Sequence, residues 1–127
     1  MANDFSRETV FLLLLALAGE IIGNVYGFYR IFPAFDLVTH FVGGALVSSI
    51  AIKFLYNKLQ RHSFFVNVVF TMGIGAFWEI IEFTADLLFH LGMQGSLNDT
   101  MVDLVMVASA AIIINFIYYS KKQEPWI

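Results

Sequence analysis

The chain has 127 residues, 59% of them hydrophobic and only 13% charged, with a mean hydropathy of +0.76 and a formal net charge of -3. Soluble domains carry about a quarter charged residues, so the composition excludes an ordinary water-soluble fold, and its acidic balance offers nucleic acid no footing. Cysteine is absent, which excludes disulfides, iron–sulfur clusters and thiolate metal sites.

Four apolar runs follow, each close to the ~20 residues that a helix needs to cross a bilayer. The first is expected over about residues 10–29. Its "LLLLALAGE" contains an Ala16-x-Ala18 pattern like a leader cleavage site. The preceding residues, however, set Asp4 and Glu8 against Arg7, and the apolar run resumes after Glu20, so it is read as a span. Pro33 in the next connection ends one helix or opens another. The second run covers 36–56, the loop "NKLQRH" leads to the third at 64–91, and "GMQGSLND" leads to the fourth at 101–119. No run shows two-residue alternation, and backbone polar groups in lipid must be satisfied internally. The expectation is an all-α, integral membrane, up-down four-helix bundle forming a single transmembrane domain over residues 1–127.

Basic residues set the expected orientation. Arg7, Lys53, Lys58, Arg61, Lys121 and Lys122 fall at the termini and the middle loop, against Arg30 alone at the other end. Both termini are therefore expected to be cytoplasmic. In that topology Glu20, Asp36, Glu79, Glu82, Asp86, Asp99 and Asp103 all belong to the outer half of the membrane. Spacings of three, four and seven keep side chains on one helical face. Asp36 with His40, Asp99 with Asp103, and Glu79 with Glu82 and Asp86 obey them, and Glu20 shares a face with Asn24. Four polar stripes are thus expected to face one another.

A charged side chain at the middle of a membrane helix costs about 2.5–3.5 kcal/mol on insertion scales. Arg30, His40 and His90 are too few to pair with all these acids. Either some carboxyls keep their protons, or a multivalent cation neutralises the cluster. An oxygen-rich site with one imidazole suits a divalent metal: magnesium, manganese, zinc or iron. The expected ligands are Glu79, Glu82, His40 and Asp103, then Asp36. Asp86, as a residue orienting His40 or receiving a proton, and Glu20 are the catalytic candidates; Arg30 is an anion contact. Blander roles compete: Asp36, Asn98 or Asp99 as helix caps, "SLND" as a capping box, Asp86 snorkelling to the interface. Gly19, Gly23 and Gly27 are read as a helix-packing ladder, as are Gly43, Gly44, Gly73, Gly75 and the run Ala108–Ala111. Trp78 is read as lipid-facing or packing, Trp126, Tyr118 and Tyr119 as an interfacial belt, and His62 as solvated.

The segments "DLVTHFVGG" (36–44), "WEIIEF" (78–83) and "QGSLNDTMVDLVM" (94–106) resemble the signature segments of the YjdF-type predicted inner-membrane proteins. The resemblance covers roughly residues 30 to 110. It implies a small helical bundle and points to Asp36, His40, Glu79, Glu82, Asp99, Thr100 and Asp103, while implying no particular activity.

Three functions stay open. One is a metal-dependent enzyme acting on a membrane lipid headgroup or lipid-linked phosphate. Another is an oligomeric cation or proton transporter or channel, built as a homo-oligomer because four helices are thin for a pore. The third is a non-catalytic scaffold. The gathering of acids at one level favours the first, because a conduit needs polar groups through the whole thickness. The inner half offers Asn67, Asn115 and hydroxyls such as Ser48, Ser49 and Ser109.

Overall fold

The computed structural model describes residues 7–59 and 63–122, which leaves Asp4, Arg61, His62 and Trp126 outside the described residues. The chain forms helix α1 (Arg7–Val25), a single turn α2 (Phe28–Ile31), then α3 (Ala34–Leu59), α4 (Phe64–Phe89) and α5 (Leu97–Lys122). The four long helices are each long and apolar enough to cross a membrane. Large apolar side chains stay on the outside, with Phe65 at 73% and Leu97 at 80% exposure, as a surface facing hydrocarbon requires.

Local chemistry sets the ends. The first helix stops at Val25, short of Tyr29, because Gly27 adopts a left-handed backbone (φ 71°) and redirects the chain into α2. At α4, the Ser63 Oγ accepts the Val66 N–H at 3.3 Å, while His90 in a left-handed conformation closes the other end. The fifth helix begins at Leu97, before the expected 101, because the Ser96 Oγ accepts the Asp99 N–H at 3.2 Å. Ser96 is therefore the cap in "SLND", and Asp99 and Asn98 are freed from that role.

Small residues decide the packing. The most extensive contact joins α3 and α5, which run parallel and are not adjacent in sequence. Gly44 lies against the Val107 backbone, where an added Cβ would come within 2.9 Å of the Val107 Cα, and Ala45, Ala110 and Ala111 are buried beside it. Without a hydrophobic drive between helices in lipid, close backbone approach of this kind holds them together. Helix α4 packs antiparallel on both, and Gly75 touches the Val107 side chain. Among the described residues, helix α1 packs along α3, through Gly19 against the Thr39 methyl and Thr9 Oγ1 hydrogen-bonded to Ser49 Oγ, and reaches α5 by an exposed Glu8–Lys121 ion pair at 3.9 Å. A gap is left between α1 and α4.

The glycine ladder on α1 therefore divides its labour. Gly19 does pack a helix, but Gly23 makes room for the Tyr29 ring and Gly27 breaks the helix. Gly43 and Gly73 have open space where a Cβ would stand, so close packing does not account for them.

Towards the end that carries the termini, α3, α4 and α5 share a buried polar layer. Ser48 Oγ donates to Asn67 Oδ1 at 2.7 Å, and Asn67 Nδ2 donates to the Ser48 carbonyl at 3.1 Å. Asn115 Nδ2 donates to the Ala111 carbonyl at 2.7 Å and reaches Asn67 Oδ1 and Ser48 Oγ. All three residues are almost wholly buried.

Candidate functional site

At the opposite end the same three helices carry ionisable groups. His40 sits two turns above Ser48 on α3, held in the body of a helix that Pro33 opens. Its ring lies between two sets of carboxylates. Nδ1 is 3.1 Å from the Asp36 backbone carbonyl, 3.3 Å from Asp36 Oδ1 and 3.5 Å from Asp103 Oδ1. Nε2 is 3.0 Å from Glu79 Oε1. Glu82, one turn along α4, completes a group with His40 and Glu79, each residue offering a ligand atom within 4.8 Å of the others. Asp36, His40 and Asp103 form a second such group.

A carbonyl oxygen only accepts, so Nδ1 carries a proton, and Nε2 faces Glu79 either as a lone pair or with the second proton of an imidazolium. At 3.0 Å the two atoms call for something positive between them, a second imidazole proton or a bound cation. Neither atom has a hydrogen-bond partner, and neither does Asp103 Oδ1, although all three atoms are buried. Glu79 and Asp103 are only 5% and 3% exposed. Buried polar atoms are nearly always paired, so each such atom calls for a physical account. A divalent ion gives one: donors bound about 2.1 Å from a common ion at right angles stand about 3.0 Å apart. The donor set, one imidazole nitrogen and carboxylate oxygens with no sulfur, matches a hard or borderline metal. His40, Glu79 and Glu82 would hold the ion, and Asp36 and Asp103 would orient the imidazole from behind.

The remaining expected residues divide between the cleft and its mouth. Next to His40 lies a cleft of about 770 Å³, open between α1 and α4 and lined by Glu20, Arg30, Asp36, Trp78, Glu82 and Asp99 among others. Glu20 stands on the α1 wall, its Oε1 accepting from the Tyr29 hydroxyl at 3.1 Å and its Oε2 from Asn24 at 3.0 Å. Burial pushes the Tyr29 phenol up to about 12, so it keeps its proton and donates. Asp99 faces the cleft beside Gly95, where a Cβ would collide with its carboxylate. Thr100 accepts from the Gln94 side chain at 3.3 Å and belongs to the loop's bracing.

Asp86 departs from expectation. Its two carboxylate oxygens accept the Met93 and Gln94 backbone N–H groups at 2.8 and 2.7 Å, so it ties down the α4–α5 loop. Asp36, not Asp86, is the carboxylate on the His40 Nδ1 side together with Asp103. Asp36 also does not cap α3: it lies inside the first turn, where the helix dipole favours a negative charge. His90 acts through its backbone, donating its N–H to the Asp86 carbonyl at 2.9 Å.

Sequence reasoning overlooked Trp78, whose Nε1 donates to Glu82 Oε1 at 2.8 Å from one turn away. The i,i+4 spacing was its available signal. Tyr29 was missed as well, because its approach to Glu20 depends on the break at Gly27 and the missing side chain at Gly23.

The family model of the predicted membrane proteins DUF2238 matches residues 1–123. The chain belongs to the DUF2238 family. YjdF-type proteins are members of it, so the resemblance in the signature segments and the family match agree. Neither the curated proteins nor the solved structures yield a match.

Proposed function

We propose that this DUF2238 protein is a membrane enzyme whose divalent ion, held by His40, Glu79 and Glu82, acts on a lipid headgroup or lipid-linked phosphate. The observation that carries the reading is the 3.0 Å approach of His40 Nε2 and Glu79 Oε1, both buried and without hydrogen bonds, at the side of a wide cleft. Glu82 is shared: Trp78 holds one oxygen and the carboxylate still reaches the His40 group. An ion there supplies Lewis-acid polarisation of a bound oxygen. The chain's own groups supply the rest. Asp36 and Asp103 keep the imidazole proton on Nδ1, Glu20 is an acceptor on the facing wall for a proton, and Arg30 is an anion contact near the mouth. The distribution of Lys and Arg supports a cleft on the non-cytoplasmic side, with both termini cytoplasmic.

Elemental analysis of purified wild-type protein beside Glu79→Gln tests this. Stoichiometric metal in the wild type, lost in a variant with unchanged helical circular dichroism, is the expected result. A wild type free of metal after purification without chelators overturns it, leaving protons to neutralise the cluster.

The Ser48–Asn67–Asn115 layer favours a second reading, cation or proton movement, because it places polar groups in the other half of the bundle. Against it, the cleft and the small cavity beside Asn67 and Asn115 share no lining residue. Flux into liposomes that Asn115→Leu abolishes would promote this reading over the first.

A further inference from the structure

We infer that the cleft receives an amphiphile whose head group carries a protonated amine, admitted sideways from the membrane between α1 and α4. The inference rests on the reading above, in which the site acts on a lipid headgroup, and names the class of head group. Three observations lead to it.

The first is the shape. Helix α1 packs on α3 and stands away from α4, and the cleft of about 770 Å³ occupies the gap. That volume lies in the range of small-molecule sites, ~300–1,000 Å³, and far exceeds what a bare ion needs. Its rim is polar, while deeper down it is lined by Val47, Ile74 and Val107. A head group beside His40 with a chain lying along those side chains suits this division.

The second is charge. Glu20, Asp36, Glu82 and Asp99 line the cleft against Arg30 and His40, with Glu79 and Asp103 just behind. Even with a divalent ion bound and Arg30 counted, carboxylates stay in excess. In a low-dielectric setting this excess repels a bare phosphate monoester and attracts an ammonium group. Thr71, a wholly buried residue of the cleft lining, has a hydroxyl without a partner, which leaves a polar group for a ligand to meet.

The third is the aromatic wall. Trp78 is 44% exposed and lines the cleft, and its bond to Glu82 fixes the ring. Tyr29, fixed by Glu20 and Thr39, lines it too. Aromatic faces beside carboxylates are the surroundings that recognise ammonium groups. A primary alkylamine titrates near the lysine value of about 10.4 and is protonated at neutral pH.

The test uses the full chain carrying Trp126→Phe, so that Trp78 is the single tryptophan, in an uncharged maltoside detergent at neutral pH. Dodecylamine and dodecyl phosphate are titrated separately while Trp78 fluorescence is followed. Saturable binding of the amine is expected, with dodecyl phosphate at least about tenfold weaker, and with Glu20→Gln/Asp99→Asn weakening the amine by about tenfold. Arg30→Gln, at an exposed position, serves as a second variant and should tighten amine binding. Phosphate binding as tight as the amine overturns the inference, as does amine affinity indifferent to all three substitutions. Metal content, measured on the same samples, reports on the enzyme reading separately: metal without amine binding sinks only this inference, and amine binding without metal sinks only the other.

Discussion

Two buried polar layers join α3, α4 and α5, about 12–18 Å apart along the helices at ~1.5 Å of rise per residue. In the layer of Ser48, Asn67 and Asn115, hydroxyl and amide donors meet carbonyl acceptors, and the groups are uncharged. In the layer of His40, Glu79 and Asp103, carboxylates outnumber donors: Glu79 and Asp103 lie at ion-pair distance on opposite sides of the imidazole, and His40 Nε2, Glu79 Oε1 and Asp103 Oδ1 are buried without hydrogen bonds. Both layers use the same helices, about two to three turns apart, so helix packing alone cannot explain the second. A nearly matched neutral network contributes to the fold; the unmatched anionic one is where the proposed cation would bind.

If that contrast is right, the layers respond oppositely to substitution. The largest effect expected is on metal binding: Glu79→Gln should weaken it by about a hundredfold or more, since even residues that only orient ligands are worth 10–100-fold. Competition with a chelating dye measures this, and thermal stability without metal should hold or rise, because a buried charge has gone. Asn115→Leu should do the reverse. It removes the Nδ2 donor from Asn67 Oδ1, which keeps its bond from Ser48 Oγ, and from the Ala111 carbonyl, and should cost about 1 kcal/mol in detergent-monitored unfolding, with metal affinity kept. Loss of metal binding in Asn115→Leu, or collapse of the fold in Glu79→Gln, breaks the contrast.

Other effects sharpen it. Gly44→Ala pushes a Cβ against the Val107 backbone between the two layers and should cost about 1–3 kcal/mol by overpacking. Its metal affinity should fall too, because α3 and α5 carry His40 and Asp103. Asp86→Ala releases the Met93 and Gln94 N–H groups and should cost about 1 kcal/mol. Hydrogen exchange should quicken at residues 90–96 while the metal titration stays unchanged, as suits a loop anchor.

Much of the helical architecture could be read from the chain because long apolar runs leave backbone groups only one solution in lipid. The ends were less legible. Gly27 sits in a run that reads as helix, and only its left-handed backbone shows that α1 stops at Val25. Within the site, i,i+4 spacing placed Asp36 with His40 and grouped the α4 acids on one face. It could not show that Asp86, at the last turn, bends away to the loop, since periodicity assigns a face and not a partner. Nor could it show that α3 and α5, separated by a whole helix in sequence, make the closest seam. That seam depends on Gly44, Ala110 and Ala111 meeting at one level, which no single helix records. Trp78 stayed hidden because a tryptophan on an apolar helix has a simpler role in the membrane.

Helix α1 is fastened along one flank, by Gly19 on Thr39 and Thr9 on Ser49, while its other flank borders the cleft. On the proposed reading, guests of different girth would be taken up along the α1–α3 seam. The spacing of His40, Glu79 and Asp103 is set by three other helices and would not depend on the width of that doorway.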